Sequence, residues 1–269
     1  MTDLPRLVLV DSHCHIDLPD FDVDREEVLA RARAAGLAEM LIVGGVDETN
    51  GQRRALEVAA RYGLPASAGV HPHEARVATE ATDDELRGMA RDGRLAAIGE
   101  IGLDFHYDHS PRDVQREVFV RLIALARAVN KPIIVHTREA AEDTLELLER
   151  EGARDVGGII HCFSEDWAFA TRAFDLDFDV SFSGIVTFKK TVAIQDVAAR
   201  APDARVHVET DSPYLAPVPF RGKPCEPAYV VHTAKRVAEL RGVPVEVLAD
   251  TLHANAERRF RRSFPKAAS

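Results

Sequence analysis

Histidine and carboxylate side chains close apolar stretches at five places along this sequence. The five are Asp11-Ser12-His13-Cys14-His15, Gly99-Glu100, His136-Thr137, His161-Cys162 and Glu209-Thr210-Asp211. Imidazole nitrogens and carboxylate oxygens are common protein ligands of divalent ions. A carboxylate set in apolar surroundings is costly unless a positive partner meets it. Placed repeatedly where strands would stop, these groups point to one converging metal site and to hydrolysis by an activated water.

Residues two apart on a strand project to the same side, so His13 and His15 face one way and Cys14 the other. Two such imidazoles can grip one ion. A lone His-x-His can equally be a pair of hydrogen-bonded surface histidines, and the surrounding groups decide between them. Glu100 follows Ala96-Ala97-Ile98-Gly99. Its two oxygens could bridge two ions held about 3.5–4 Å apart, as in two-metal hydrolases; a structural salt bridge is the alternative. No lysine stands at the expected strand ends to serve as a carboxylated bridge. His136 ends Pro132-Ile133-Ile134-Val135 and His161 ends Gly158-Ile159-Ile160, which suits a pair of ligands to a second ion. Asp211 could bind the first ion and accept the proton of the attacking water. Glu209 lies one layer deeper and reads as the group that orients a ligand or an arginine. His71 could donate a hydrogen bond to a substrate oxyanion or be a core histidine. Arg138 could contact a phosphate or open a helix. His73, in the same stretch as His71, reads more readily as a core histidine, and no function follows for His106, His109, His207, His232 or His253.

The elements that must position these groups are legible as alternation. Eight strand-length runs recur at Leu7–Val10, Glu39–Val43, Pro65–Val70, Ala96–Ile101, Pro132–Val135, Gly157–Ile160, Asp179–Ile185 and Arg205–Val208. Helical patterns fall between and after them, at Arg25–Ala35, Gly51–Tyr62, Asp83–Arg91, Arg112–Asn130, Glu139–Glu151, Trp167–Leu176, Thr191–Arg200, Pro227–Leu240 and Val245–Phe264. Asp83 and Asp84 are candidate caps, and Gly36, Gly63 and Gly152 candidate stops. Such alternation implies parallel pairing, and eight units imply a closed α/β (β/α)₈ TIM-like barrel over residues 1–269, with its chemistry at the C-terminal mouth of the strands. An open doubly wound sheet would show a Gly-rich phosphate loop after its first strand; here His-Cys-His stands there. The segment from Pro213 to Pro227, rich in proline and basic residues, reads as a loop over the mouth.

The bulk numbers exclude other classes. A formal charge of −10 argues against a protein that coats nucleic acid, though not against an enzyme acting on it. Three cysteines with no CxxC pair argue against a disulfide framework and for a reducing compartment. The N-terminal stretch carries Asp3 and no basic segment with a long apolar run, so no signal peptide is expected. No apolar run approaches the roughly 20 residues of a membrane span, and a cytoplasmic protein is expected.

The sequence resembles the TatD family of metal-dependent deoxyribonucleases within the amidohydrolase-like barrels. The matching stretches are DSHCHID (11–17), GVHPHE (69–74), GEIGLDF (99–105), HTREA (136–140), HCFS (161–164), SFSGIVTFK (181–189) and ETDSPYLAPVPFRGK (209–223), with EPAYV (226–230) and Asn255-Ala256. The resemblance spans nearly the whole chain, in family order. It implies a barrel with two divalent metal ions (Mg, Mn or Zn) held by His13, His15, Glu100, His136, His161 and Asp211. It also implies hydrolysis of phosphodiester bonds in DNA, single-stranded or bound by its ends, with His71 near the phosphate. His106-Tyr107 stands where the family more often has an aromatic pair, and Cys225 where it usually has Asn; both bear on substrate detail. A lactone, amide or acyl ester hydrolase on the same ligands, or a binding module that keeps metal for stability, are the rival readings.

Overall fold

Eight strands alternate with helices in the computed structural model, which describes residues 7–45 and 51–264. Asp3 and the N-terminal stretch read for a leader lie outside the described residues. In chain order the elements are β1 (Leu9–Cys14), α1 (Arg25–Ala34), β2 (Leu37–Gly44), α2 (Gly51–Tyr62), β3 (Ala66–Ala68), α3 (Glu80–Arg91), β4 (Ala97–Asp104) and α4 (Arg112–Ala128). They continue with β5 (Ile133–Arg138), α5 (Ala141–Arg150), β6 (Gly158–Ile160), α6 (Trp167–Asp175), β7 (Phe178–Phe182), α7 (Val192–Arg200), β8 (Val206–Val208), α8 (Val230–Arg241) and α9 (Val245–Phe260).

The strands pair in parallel in sequence order, β1 to β8. Just past β8 the chain returns to β1: Asp211 N–H donates to His13 O at 3.0 Å and His15 N–H to Ser212 O at 2.9 Å. Ser12 Oγ donates to Val208 O at 3.1 Å across the same seam. The expected (β/α)₈ barrel is the one observed. Among the described residues no helix is long and apolar enough to cross a membrane, and Cys14, Cys162 and Cys225 are all free thiols.

Several boundaries differ from the sequence reading. β4 runs to Asp104 and β5 to Arg138, because the ladder continues through Gly102↔His136 to Asp104↔Arg138. Gly102 permits it: with φ at 147°, any Cβ there would overlap the His136 carbonyl oxygen. α3 starts earlier than Asp83, capped by Thr79, whose Oγ1 accepts from Thr82 N–H at 3.3 Å. Asp83 instead pairs with Arg121 of α4 at 2.9 Å. β7 ends at Phe182, and a short 3₁₀ helix occupies Gly184–Thr187. The expected stops Gly36, Gly63 and Gly152 all take positive φ.

Two apolar clusters hold the barrel. The larger lies between strands and helices, with Leu9, Ile42, Ile98, Ile101, Val135 and Phe182 against residues such as Phe119 and Leu122 of α4. The smaller gathers Val10, Leu41, Val43, Ala97, Ile134 and Ile159 with Ala256 and Phe260 of α9 and Phe264. Ile134 and Ile159 precede His136 and His161 by two positions and share their side of the strand. The floor of the barrel is therefore packed beneath the histidines, and α9 closes it from below. α9 is fastened by charge as well. Buried Asp179 of β7 accepts from Arg259 Nη2 at 2.7 Å and Arg258 Nη2 at 2.7 Å, and lies 3.0 Å from His207 Nε2. Burial alone would raise Asp179, yet His207 and Arg259 hold its carboxyl well below the ordinary range.

Candidate metal centre

Five of the eight strands bring the six expected ligand side chains to one place toward their C-terminal side. His13 is in β1 and His15 follows it; Glu100 is in β4, His136 in β5, His161 directly after β6 and Asp211 in the turn after β8. His13 Nε2 and His15 Nε2 lie 3.1 Å apart, as the strand alternation required. Cys14 points away, its thiol donating to Leu41 O, and Cys162 turns toward Ser183 Oγ. Asp211 takes φ of 57°, a left-handed conformation that aspartate adopts more readily than most residues. Asp11 sets the seam beneath it, accepting from Thr210 Oγ1 at 2.6 Å, Thr210 N–H at 3.0 Å and His13 N–H at 3.2 Å.

Glu100 is the hub. Its Oε2 lies 3.4 Å from His13 Nε2 and 4.0 Å from His15 Nε2. Its Oε1 lies 2.7 Å from His161 Nε2, 2.8 Å from His136 Nδ1 and 3.4 Å from His71 Nε2. Asp211 Oδ1 completes the first side, 3.4 Å from His15 Nε2 and 3.8 Å from His13 Nε2. Three sets of potential ligand atoms therefore each fall within 4.8 Å: His13, His15 and Asp211; His13, Glu100 and His161; His71, Glu100 and His136.

The surrounding groups fix which nitrogens face inward. His15 Nδ1 donates to Val43 O at 2.8 Å, so Nε2 is the nitrogen left for the cluster. Glu209 Oε1 accepts from Cys162 N–H at 2.7 Å and lies 3.3 Å from His161 Nδ1, which aims His161 Nε2 at Glu100. Glu209 thus sits behind the cluster, as its depth on the strand suggested. The charges are consistent with a cation site. Burial would raise Glu100, but His161, His71, His13 and His136 hold it well below the carboxylate range. Asp211 is likewise lowered against burial by His15, His13 and His161. Burial would lower His15, yet Asp211 and Glu100 push it up to about 9, whereas burial takes His71 down to about 4. Two ionised acids ringed by imidazole nitrogens form a buried set of donor atoms that divalent cations fit by donor type.

The family described as TatD related DNase matches residues 10–261. This chain belongs to the TatD family. The metal-dependent hydrolase YcfH of Escherichia coli K12 is 43% identical to it over 257 residues, covering 94% of this chain and 96% of that protein. A Pantoea ananatis protein named 3′-5′ ssDNA/RNA exonuclease TatD is 34% identical over 245 residues, covering 89% and 94%. The crystal structure of YJJV, a TatD homolog from Escherichia coli K12, superposes with a TM-score of 0.88 at 28% identity over 94% of this chain and 98% of that one. As a TatD-family member the chain is a metal-dependent hydrolase, and its cluster of histidines and acids is the part of the barrel suited to the metal.

In this TatD-family barrel, buried His71 joins Glu100 and His136 in one set of potential ligand atoms. Arg138 stays at the rim, exposed, with its guanidinium 4.7 Å over the Tyr107 ring. Two residues escaped the sequence reading. Asp104, wholly buried at the end of β4, lies 3.1 Å from His136 Nε2 and 3.0 Å from His73 Nε2. His73 is thereby tied to the cluster through a shared carboxylate. The signal was present, since Asp104 follows Glu100 by four positions on the same strand.

Proposed function

We propose that this chain hydrolyses phosphodiester bonds of DNA, at single strands or strand ends, using two divalent ions held by His13, His15, Glu100, His136, His161 and Asp211. The observation that carries the reading is Glu100, whose two oxygens face separate ligand groups on either side of one carboxylate. Bound there, divalent ions would polarise a phosphoryl oxygen and bring a water's acidity near neutral, Mg²⁺ or Mn²⁺ suiting hard phosphate oxygens and Zn²⁺ the imidazole-rich ligands. Asp211 opens toward the mouth and accepts the proton of the attacking water. Glu209 keeps His161 aimed inward and Val43 O keeps His15 in its tautomer. His71, neutral near pH 7, stands beside Glu100 without adding charge. Arg138 at the rim offers a guanidinium to an incoming phosphate. The nucleic-acid substrate is supported by the exonuclease name of the Pantoea relative.

The test is an assay with added Mg²⁺, Mn²⁺ or Zn²⁺ on labelled single-stranded DNA beside a panel of esters, amides and lactones. Shortening of the DNA that EDTA abolishes is expected. Turnover of a lactone or carboxylic ester with every phosphodiester left intact would overturn the reading. Glu100→Ala should lose metal at both positions and more than about 100-fold in rate; a variant with full metal content would refute the bridge.

A further inference from the structure

Lysine is distributed unevenly over this acidic chain. Its formal charge is −10, and it has six lysines, Lys131, Lys189, Lys190, Lys223, Lys235 and Lys266. Four of them belong to the segments that follow β7 and β8. Lys189 and Lys235 line a groove of about 560 Å³ between the turn after β7, the loop after β8 and the outer face of α8. Arg236 also lines it, but pairs with Glu239 at the far end at 3.1 Å, so those two cancel. Among the described residues, Lys189, Lys190, Arg221, Lys223 and Lys235 have no carboxylate partner. The Arg221 guanidinium lies 4.4 Å over Phe188, next to Lys189 in sequence, which brings the loop's cations toward the groove.

The groove adjoins the mouth of the barrel. Val218 N–H donates to Thr187 Oγ1 at 2.9 Å, joining the turn after β7 to the same loop that starts at Asp211. Gln195 Nε2 donates to Val186 O and Phe188 O, each at 3.0 Å, which holds that turn to α7. From the rim the groove follows one face of α8, where His232, Lys235, Arg236 and Glu239 recur at helical spacing. The nearby aromatic rings Phe220 and Tyr229 stack on each other at 4.1 Å and offer no platform for bases.

We propose that this groove is a track for the phosphate backbone of single-stranded nucleic acid, holding the stretch of strand that lies outside the metal centre. It rests on the phosphodiesterase reading above. The chemistry is that of a polyanion meeting cations that have no carboxylate of their own in a chain otherwise rich in acids; binding is electrostatic and tolerant of sequence.

Binding of a fluorescein-labelled twelve-residue oligothymidylate, followed by anisotropy in EDTA over a series of salt concentrations, reads the track without turnover. The double variant Lys189→Ala, Lys235→Ala should bind about tenfold more weakly at about 0.1 M salt. Its plot of log affinity against log salt should be shallower by about 1.4, near 0.7 for each phosphate no longer neutralised. The double variant Lys189→Arg, Lys235→Arg should keep both values. No measurable binding by the unaltered chain, or equal affinity and slope in the alanine variant, would overturn the track. Competition by polyglutamate as effective as that by DNA would overturn it in favour of an acidic protein partner. Hydrolysis of bis(p-nitrophenyl) phosphate by the unaltered chain with Mn²⁺ reads the metal centre separately. Inertness there would remove the reading on which the track rests, whereas turnover beside an indifferent alanine variant would remove the track alone.

Discussion

Asp104 gives one carboxylate to two imidazoles. Its Oδ2 serves His73 and His136, while its Oδ1 accepts from the backbone N–H groups of His106 and Tyr107 at 3.0 and 2.9 Å. Asp104 holds His136 by Nε2 on the side away from Glu100, which directs Nδ1 at Glu100, the carboxylate of the proposed metal centre. Asp104→Asn should therefore weaken divalent-ion affinity by about 10- to 100-fold, read by titration calorimetry on the metal-free protein. An affinity equal to that of the unaltered chain would reduce Asp104 to a space-filling role. At this scale the sequence was most readable where a charge interrupted apolar residues, as at Glu100, or where spacing placed two imidazoles on one side, as at His13 and His15. Asp104 was harder to see because Gly102 ended the apolar run two positions too early. His71 was ambiguous because nothing in its own stretch shows that Glu100 will lie 3.4 Å away.

Strand ends are what carry these groups, and the β4–β5 ladder is the one most finely set. Gly102 lies opposite His136 in that ladder, where the two backbones approach too closely for any side chain. Gly102→Ala should push β5 outward and move His136 off Glu100. The expected outcome is a folded barrel with weakened metal uptake, or insoluble protein if the ladder parts; normal melting together with normal metal content would contradict it. Helix existence and order followed from period and glycine stops. Helix starts were less secure, because Asp83 satisfies a capping rule on paper while Thr79 makes the bond and Asp83 pairs with Arg121. Strand limits were least secure. Apolar runs report where the chain is buried, and the ladder of β4 and β5 extends into polar residues that only pairing reveals.

Over the whole molecule, the closed ring of eight strands could be inferred from alternation alone, but the role of α9 could not. Its apolar pattern reads like that of any outer helix, whereas Ala256 and Phe260 of α9, with Phe264 just beyond its end, form the floor plug. Glu39 on β2 bears on this lower half of the barrel: burial pushes its carboxyl up to about 7 from an ordinary 4.5. Below pH 4.5 folded and unfolded chains both keep that proton. Between 4.5 and about 7 the unfolded chain releases it first, so this group lowers stability as pH rises through that window and by a constant amount above it. Glu39→Gln should melt several degrees higher than the unaltered chain at about pH 8 and at the same temperature at about pH 4. Equal midpoints under the alkaline condition would refute the assignment.

The seam between β1 and the turn after β8 carries a consequence for how the enzyme comes into being. Asp11 and Thr210, whose bond helps lock that seam, stand 199 residues apart, and His13 and Asp211 are their immediate companions. A nascent polypeptide leaving the ribosome cannot bring His13 and Asp211 together until residue 211 of its 269 has emerged, and contacts this remote in sequence form late. A product cut short before the last strand lacks Asp211 and the bonds that return the chain to β1, so one latch finishes the ring and completes the proposed ligand set.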